Sequence, residues 1–542
     1  MILKRLNVKL FTITIMCFAS KMSGQITLDN TYQNTNSQTI GVFQGITFRE
    51  GGFSSLQYIP NTNGTEFWTV TDRGVNIDAA TANTGATASA QYPTCIPTYD
   101  KIYAFPNYAP KIMRLKIVGN EVQIMQMITI KRPNGSDVTG LLNPTGFGST
   151  AAEVASTNVV TDCVNFDANT ASKDAWGIDS EGIDVDSEGN FWISEEGGPT
   201  IWKVSPNGIV LKRYTPYTLT EPEDVAINSC FAFRRNNRGF EGISIAPNGK
   251  VYAIIQSPMY YKNVSGIVAS ATLGNSRIHR ILEIDPATNT QKMYAYVNDG
   301  QIGTSNDIRP RDLKIGGIKA INNTTFLVIE QGLRGAQNIK RLYKIDITGA
   351  TEVLSGIAYG TKTLEELDSP ANLTSNSITP VTKTLQFDLH ANGWPTTIEK
   401  AEGIAIIDAN TIVLCNDNDY GQYSPTENGI ATANNINSSL YKYTLAGSNA
   451  LQNYIPNNNV VLSTNNNFTV ENKILKVYPN PFTNEITIDN LLNEQSSFSI
   501  INIMGQEVMS GKINFNKINV EQLKSSIYIL KMDNQFIKII KN

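Results

Sequence analysis

The chain has 542 residues, with 44 Lys and Arg against 48 Asp and Glu, a net charge of -4 and 17% charged residues. That balance leaves no broad basic field to hold nucleic acid, and two histidines with no Cys-x-x-Cys pair argue against zinc held by His and Cys clusters. The length exceeds one ordinary core, and Asn, Thr, Ser and Gly separate short apolar runs, so an all-β domain with an appendage is expected.

Residues 1–24 follow the order of a secretory signal peptide: Lys4, Arg5 and Lys9, an apolar run from Leu10 to Ala19, then Ser23 and Gly24. The run is shorter than the roughly 20 apolar residues of a spanning helix, so no transmembrane segment is expected in the mature chain. Cys17 follows Met16 rather than a small residue, which argues against a lipid anchor. Export leaves Cys95, Cys163, Cys230 and Cys415 where disulfides can form. Cys95 and Cys163 lie in loop-like insertions that a bridge could join, whereas Cys415 falls inside an apolar strand and reads as a small buried thiol.

A repeat then organises residues 25–450. EGIDVDSEGNFWISEE from Glu181 recurs as EGISIAPNGKVYAIIQS from Glu241 and EGIAIIDANTIVLCND from Glu402, with weaker copies SSLQYIPNTNGTEFWTVTD from Ser54 and GGIKAINNTTFLVIEQ from Gly316. Each copy alternates apolar residues on either side of an Asn/Gly/Asp turn, the pattern of a hairpin, and a second, more variable hairpin follows. Four strands per unit at this spacing predict a β-propeller of five clear blades. A sixth blade could be assembled from residues 25–48 and 447–465. A sandwich would not need Glu-Gly at the same point of each copy, and it would leave edges that a ring removes.

Turns inside the hairpins are short. The joins at 73–110, 133–178, 257–275, 298–313 and 417–438 are long, and strand alternation puts them all on one rim, where binding usually resides. The first-strand positions Ser54, Glu181, Glu241, Gly316 and Glu402 open on that rim. The second strands end there, and their alignment gives Asp72, Glu196, Gln256, Glu330 and Asn416, with Asp417 and Asp419 just outside. So many carboxylates in one mouth require a cation or raised pKa values. An oxygen-rich set without histidine suits a hard ion, Ca²⁺ first, with Asp72, Glu181, Glu241, Glu330, Glu402 and Asp417 as expected ligands. Glu196 and Glu241 are the expected catalytic acid-base groups. Arg73, Arg238 and Lys400 interleave with the acids and, with Gln256 and Asn416, are the expected contacts to an anionic or ester substrate. The competing reading is that each Glu accepts backbone N–H bonds and holds neighbouring blades together. Against a serine hydrolase, there is no Gly-x-Ser-x-Gly elbow; His279 falls in an outer strand and His390 in a short loop.

TDRG at 71–74, SEGIDVD at 180–186, SEE at 194–196, RGFEGIS at 238–244, IEQ at 329–331 and KAEGIAI at 400–406 resemble the phytase-like propeller family described as having esterase-like activity, over roughly residues 45–446. The resemblance implies hydrolysis of ester or phosphoester bonds, and Gly316 departs from it where an acid is expected. The tail, with VYPNPFTNEITID at 477–489, IINIMGQEV at 500–508 and SSIYIL at 525–530, resembles the carboxyl-terminal sorting domain of type IX secretion. That resemblance implies export across an outer membrane, with the secretion machinery as partner. Its alternating strands predict a small β-sandwich over 473–542, after an Asn-rich linker at 451–472. Three functions fit these residues: a cation-dependent hydrolase, a surface propeller that only binds a ligand or partner, and a metal-dependent lactonase.

Overall fold

The computed structural model describes residues 25–78, 101–150, 153–158, 168–260, 275–353, 359–421, 431, 433–456, 476–489, 497–502, 505–513, 516–532 and 535–542. The signal segment, Cys95, Cys163 and most of the Asn-rich linker lie outside them. The chain divides into two compact units, Met1–Val460 and Val461–Asn542.

The first unit is a ring of five four-stranded blades among the described residues. Blade 1 runs outward from Gln57–Tyr58 through Glu66–Val70 and Lys111–Val118 to Glu121–Thr129. Blade 2 has Ser180–Val185, Phe191–Glu195, Ile201–Val204 and Val210–Thr215, with Asp224–Ala226 added outside. Blade 3 has Phe240–Ile245, Val251–Ile255, Ile278–Asp285 and Thr290–Val297. Blade 4 has Lys314–Ala320, Thr325–Arg334, Gln337–Asp346 and Thr382–Asp388. Blade 5 has Glu402–Asp408, Thr411–Cys415 and Ser439–Leu445, and its outermost strand is Ile26–Gln33 from the amino end, paired antiparallel from Ile26 against Leu445 to Gln33 against Ser439. Among the described residues there is therefore no sixth blade: residues 26–33 complete the fifth, Thr39–Phe43 and Ile46–Arg49 form a separate hairpin, Gly447–Asn449 is a single helical turn, and 457–465 lie outside the described residues. The sequence hides this because ITLDNTYQ is a polar strand at an exposed edge.

Five apolar clusters, one between each pair of adjacent blades, hold the ring together. Between blades 1 and 2, for example, Val70 and Ile112 meet Ile183, Phe191 and Trp202. Full burial of side chains of this size contributes about 1.5–3 kcal/mol each. The repeated glycine belongs to the same closure. A Cβ on Gly182 would stand 2.8 Å from the Ile243 nitrogen, and one on Gly242 would stand 2.7 Å from the Ile318 nitrogen, so neighbouring innermost strands touch backbone to backbone.

The second unit packs a three-stranded sheet (Lys476–Tyr478, Glu485–Asp489, Lys517–Asn519) and a four-stranded sheet (Glu507–Lys512, Ser497–Asn502, Ser526–Met532, Gln535–Lys541) around Phe482, Ile486, Ile500, Ile518, Leu530 and Ile539. This is the sandwich that the alternating tail predicts. No helix among the described residues is long and apolar enough to cross a membrane.

Candidate functional site

In blades 2, 3 and 4 the opening residue is the extra residue of a β-bulge: the register slips between Ser180 and Gly182, Phe240 and Gly242, and Ile315 and Gly317. A bulge frees one residue from the ladder and re-aims its side chain. Here it turns Glu181 and Glu241 toward the axis, where they and Glu402 line a cavity of about 250 Å³. In blade 4 the same position is Gly316, and a Cβ there would lie 2.4 Å from the Ala401 oxygen, so no carboxylate fits.

The opposite end of the channel is closed. Lys319 Nζ lies 2.9 Å from Asp184 Oδ2 and also donates to Gln57, while Asp184 accepts from Ser244 Oγ at 3.1 Å and from the Ile245 nitrogen at 2.8 Å. The mouth is therefore a dead-end cup.

The carboxylates of the cup are buried and poorly supplied with donors. Glu181 makes no hydrogen bond among the described residues, and burial, then the charges of Glu241, Asp179 and Asp72, hold its carboxyl well above the usual range. Glu402 Oε2 is buried with no partner, and burial raises this carboxyl strongly, with Asp417 and Glu241 adding to it against the pull of Lys400. Glu241 accepts only from Gln256 Nε2, at 2.6 Å, and burial with Glu196 pushes it to about 8. Glu196 accepts from Asn237 Nδ2 at 2.8 Å and is pushed to about 7 by burial and by Asp179. None of these four accepts a backbone N–H, so they do not staple blades together. Glu195, one residue before Glu196, accepts backbone N–H groups from within its own blade, Gly198 at 2.6 Å and Asp179 at 3.2 Å.

Two of the expected residues point elsewhere. Glu330 is fully buried away from the cup, held by Lys383 and the Tyr296 hydroxyl at 2.6 Å each and by the Asp299 nitrogen at 2.9 Å. It pairs with Ile315 as Glu195 pairs with Ser180, so it is the equivalent of Glu195, and the rim position of blade 4 is the next residue, Gln331, which lines the cup. A one-residue slip reverses the face of a strand residue. Asn416 is also fully buried: its amide donates to the Asn437 oxygen at 3.3 Å and accepts from the Ser439 nitrogen at 2.8 Å.

The basic residues divide into occupied and free. Arg73 pairs with Asp179 and donates to the Tyr103 hydroxyl at 2.6 Å. Lys400 sits 2.5 Å from Asp417 and 2.7 Å from Asp419. Both cations are thus neutralised within the fold. Arg238 donates to Gln256, which also holds Glu241, and makes no ion pair among the described residues. Asp72 lies beside Asp179 and Glu181, with one oxygen from each within 4.8 Å of the others; Asp72, Asp417 and Asp419 form a similar group. Burial, then Asp179, raises Asp72 well above the usual range. Burial opposes ionisation of Asp179 too, but Arg73 brings it down to about 2.

Asp179 and Lys314 are the residues that the repeat alignment misses. They stand two positions before the opening residue, as Lys400 does, and extending the alignment by that step would have found them. The histidines stay outside the chemistry. His279 is fully buried, contacts the Ile255 oxygen at 3.2 Å and Asn298 Nδ2 at 3.1 Å, and burial pushes it down to about 3. His390 rests on the Trp394 oxygen. Cys415 is a free, buried thiol, as its strand suggests, and Cys230 is another.

Fold and mouth together define a propeller with a blind, carboxylate-lined axial cup. Residues 49–420 match the phytase-like family described as having esterase-like activity of phytase, and the chain belongs to that family. Residues 476–542 match the secretion system C-terminal sorting domain, which marks the chain for secretion by the type IX route. An uncharacterized secreted protein of Arthroderma benhamiae is 28% identical over 172 residues, covering 26% of this chain and 31% of that protein. Among solved structures the chain is similar to PorZ, a surface component of the type IX secretion system of Porphyromonas gingivalis, at 9% identity and a TM-score of 0.25, over 91% of this chain and 60% of that one. It is also similar to the PQQ-bound aldose sugar dehydrogenase of Streptomyces coelicolor, at 11% identity and a TM-score of 0.26, over 78% and 98%. Likenesses at this level carry nothing about activity.

Proposed function

We propose that the cup is the active site of a secreted hydrolase that cleaves ester or phosphoester bonds with the help of a divalent cation, Ca²⁺ in the first instance. The observation that carries this is Glu402 Oε2, buried without a partner, with Glu181, which accepts no hydrogen bond among the described residues, lining the same cup. Buried charges are paired, protonated or bound to metal, and an all-oxygen donor set fits a hard cation. Glu181, Glu402 and Asp72 would hold it. When bound, such an ion supplies Lewis-acid polarisation of the scissile group and a more acidic water.

The chain's own residues do the rest. Glu196, near pH 7 in its titration and tied only to Asn237, is placed to take a proton from water and return it to the leaving group. Arg238 orients the substrate through a guanidinium fixed on one side by Gln256. Glu241 keeps that amide in place. The closed far end excludes through-flow of water, so reaction and exit share one opening.

The test is turnover of p-nitrophenyl esters, p-nitrophenyl phosphate, phytate and lactones, with Ca²⁺ and with chelator. Turnover that chelator abolishes and that falls on the order of 10²-fold or more in Glu181→Gln and Glu402→Gln is the expected result. Absence of turnover with any divalent ion would leave the cup as a binding surface and sink the enzymatic reading. Turnover indifferent to chelator would sink the metal.

A further inference from the structure

Blades 4 and 5 carry the same lysine in the same place. Lys314 stands two residues before Gly316 and Lys400 two residues before Glu402, and both line the cup. Their partners differ. In blade 5 the rim position is Asp417, since Asn416 stands in the register of Glu195 and Glu330, and Asp417 takes Lys400 at 2.5 Å. In blade 4 the same rim position is the uncharged Gln331. The blade-4 opening acid is also missing, since Gly316 has no room for a side chain. The nearest remaining acid of that blade, Asp312, is held by Arg309 at 2.7 Å and Arg334 at 3.2 Å.

Lys314 therefore has no ion pair among the described residues, and neither has Arg238 of the adjoining blade 3. These two cations face the cup together. The Arg238 charge is the first cause that pushes the Lys314 amine down, to about 8, with burial next. Glu196 and Glu241 act on both cations from the same cavity but form no ion pair with either, and blade 4 lacks its own acids at these positions, so two like charges crowded there are arranged for a counter-ion from outside. The cavity has room beside them, and the Gln331 amide and Asn237 line the same wall.

We infer that Arg238 and Lys314 form an anion subsite within the cup, which takes a compact oxyanion, phosphate or carboxylate, of the ligand. The donor-free carboxylates Glu181 and Glu402 Oε2 lie on blades 2 and 5 and the cations without an ion pair on blades 3 and 4, with Glu241 of blade 3 and Glu196 of blade 2 near both cations. The inference rests on the reading of this cup as the functional site, and its test needs no turnover. Inorganic phosphate and acetate are titrated into chelator-treated full-length protein by calorimetry, with Lys314→Met and Gln331→Asp as variants. Gln331 holds the position that Asp417 holds in blade 5 and already lines the cup, so Asp there restores the blade-5 pairing. Wild type is expected to bind at least one of the two anions, and both variants are expected to weaken it by about 10-fold or more. Binding of phosphate alone assigns the subsite to phosphoryl groups, and binding of acetate alone assigns it to carboxylates. No binding to wild type, or affinity unchanged in Gln331→Asp, overturns the inference. Loss of hydrolysis with anion binding intact would fail only the proposed reaction.

Discussion

The two ends of the propeller channel are built from the same innermost strands, and they handle charge in opposite ways. At the closed end one acid meets one base: Asp184 and Lys319 are paired, and Ser244 Oγ and the Ile245 nitrogen also donate to Asp184. At the mouth, acids and bases are both in excess of their pairs. Glu181 and Glu402 want donors, while Arg238 and Lys314 want acceptors. Charges that hold a fold together are matched inside it, because an unmatched buried charge is costly. Charges left unmatched in a rigid cup are matched by what enters.

Breaking the closed end gives the largest expected effect. Lys319→Met strands Asp184 in the channel and is expected to cost about 3–5 kcal/mol of stability by urea denaturation. Adding Asp184→Leu should recover most of that loss, since an apolar pair of similar volume replaces the ion pair. If the single variant costs nothing, the contrast between the two ends fails.

The mouth should behave in the opposite sense, being stabilised by ligand rather than by its own pairs. Saturating Ca²⁺ at about 100 times its dissociation constant is expected to add about 2.7 kcal/mol, and the gain should vanish in Glu402→Gln. A pH dependence follows from the same carboxyls. Glu195 and Glu241 titrate at about 8 and Glu196 at about 7 in the folded chain, above their unfolded values. Between about pH 4.5 and 8 the folded state then holds more protons than the unfolded state. Stability of the metal-free protein must fall as pH rises through that window, and melting scans from pH 5 to 8 without and with Ca²⁺ read it directly. A melting temperature that climbs with pH would contradict the burial of these groups.

The smallest expected effect on the mouth comes from Glu330, which faces the interior. Glu330→Gln should leave Ca²⁺ affinity within about twofold of wild type, because its contacts are to Lys383, Tyr296 and Asp299. A calorimetric titration that shows Ca²⁺ binding abolished by this change would return Glu330 to the ligand set.

Much of this was legible in the chain. The repeat, the rim that carries the long joins, and the first-strand acids could all be read from spacing, because β-alternation and turn chemistry are local. What escaped was non-local or a matter of one residue. Glu330 and Gln331 are adjacent polar residues, and only the pairing of Ile315 with Glu330 shows which one faces the axis. Asp179 and Lys314 look like ordinary loop charges until their partners are known. The last strand of blade 5 escaped as well, since nothing in ITLDNTYQ announces a pairing with residues 439–445.

That pairing sets a schedule for the molecule. The strand made first, Ile26–Gln33, has its place beside one of the last strands of the ring to be synthesised, Ser439–Leu445. Blade 5 stays one strand short, with its edge open, until more than four hundred residues have emerged and the chain's beginning has come back to meet them. Contacts this distant are slow to form. The propeller is thus a clasp that fastens only after the whole strap has been threaded.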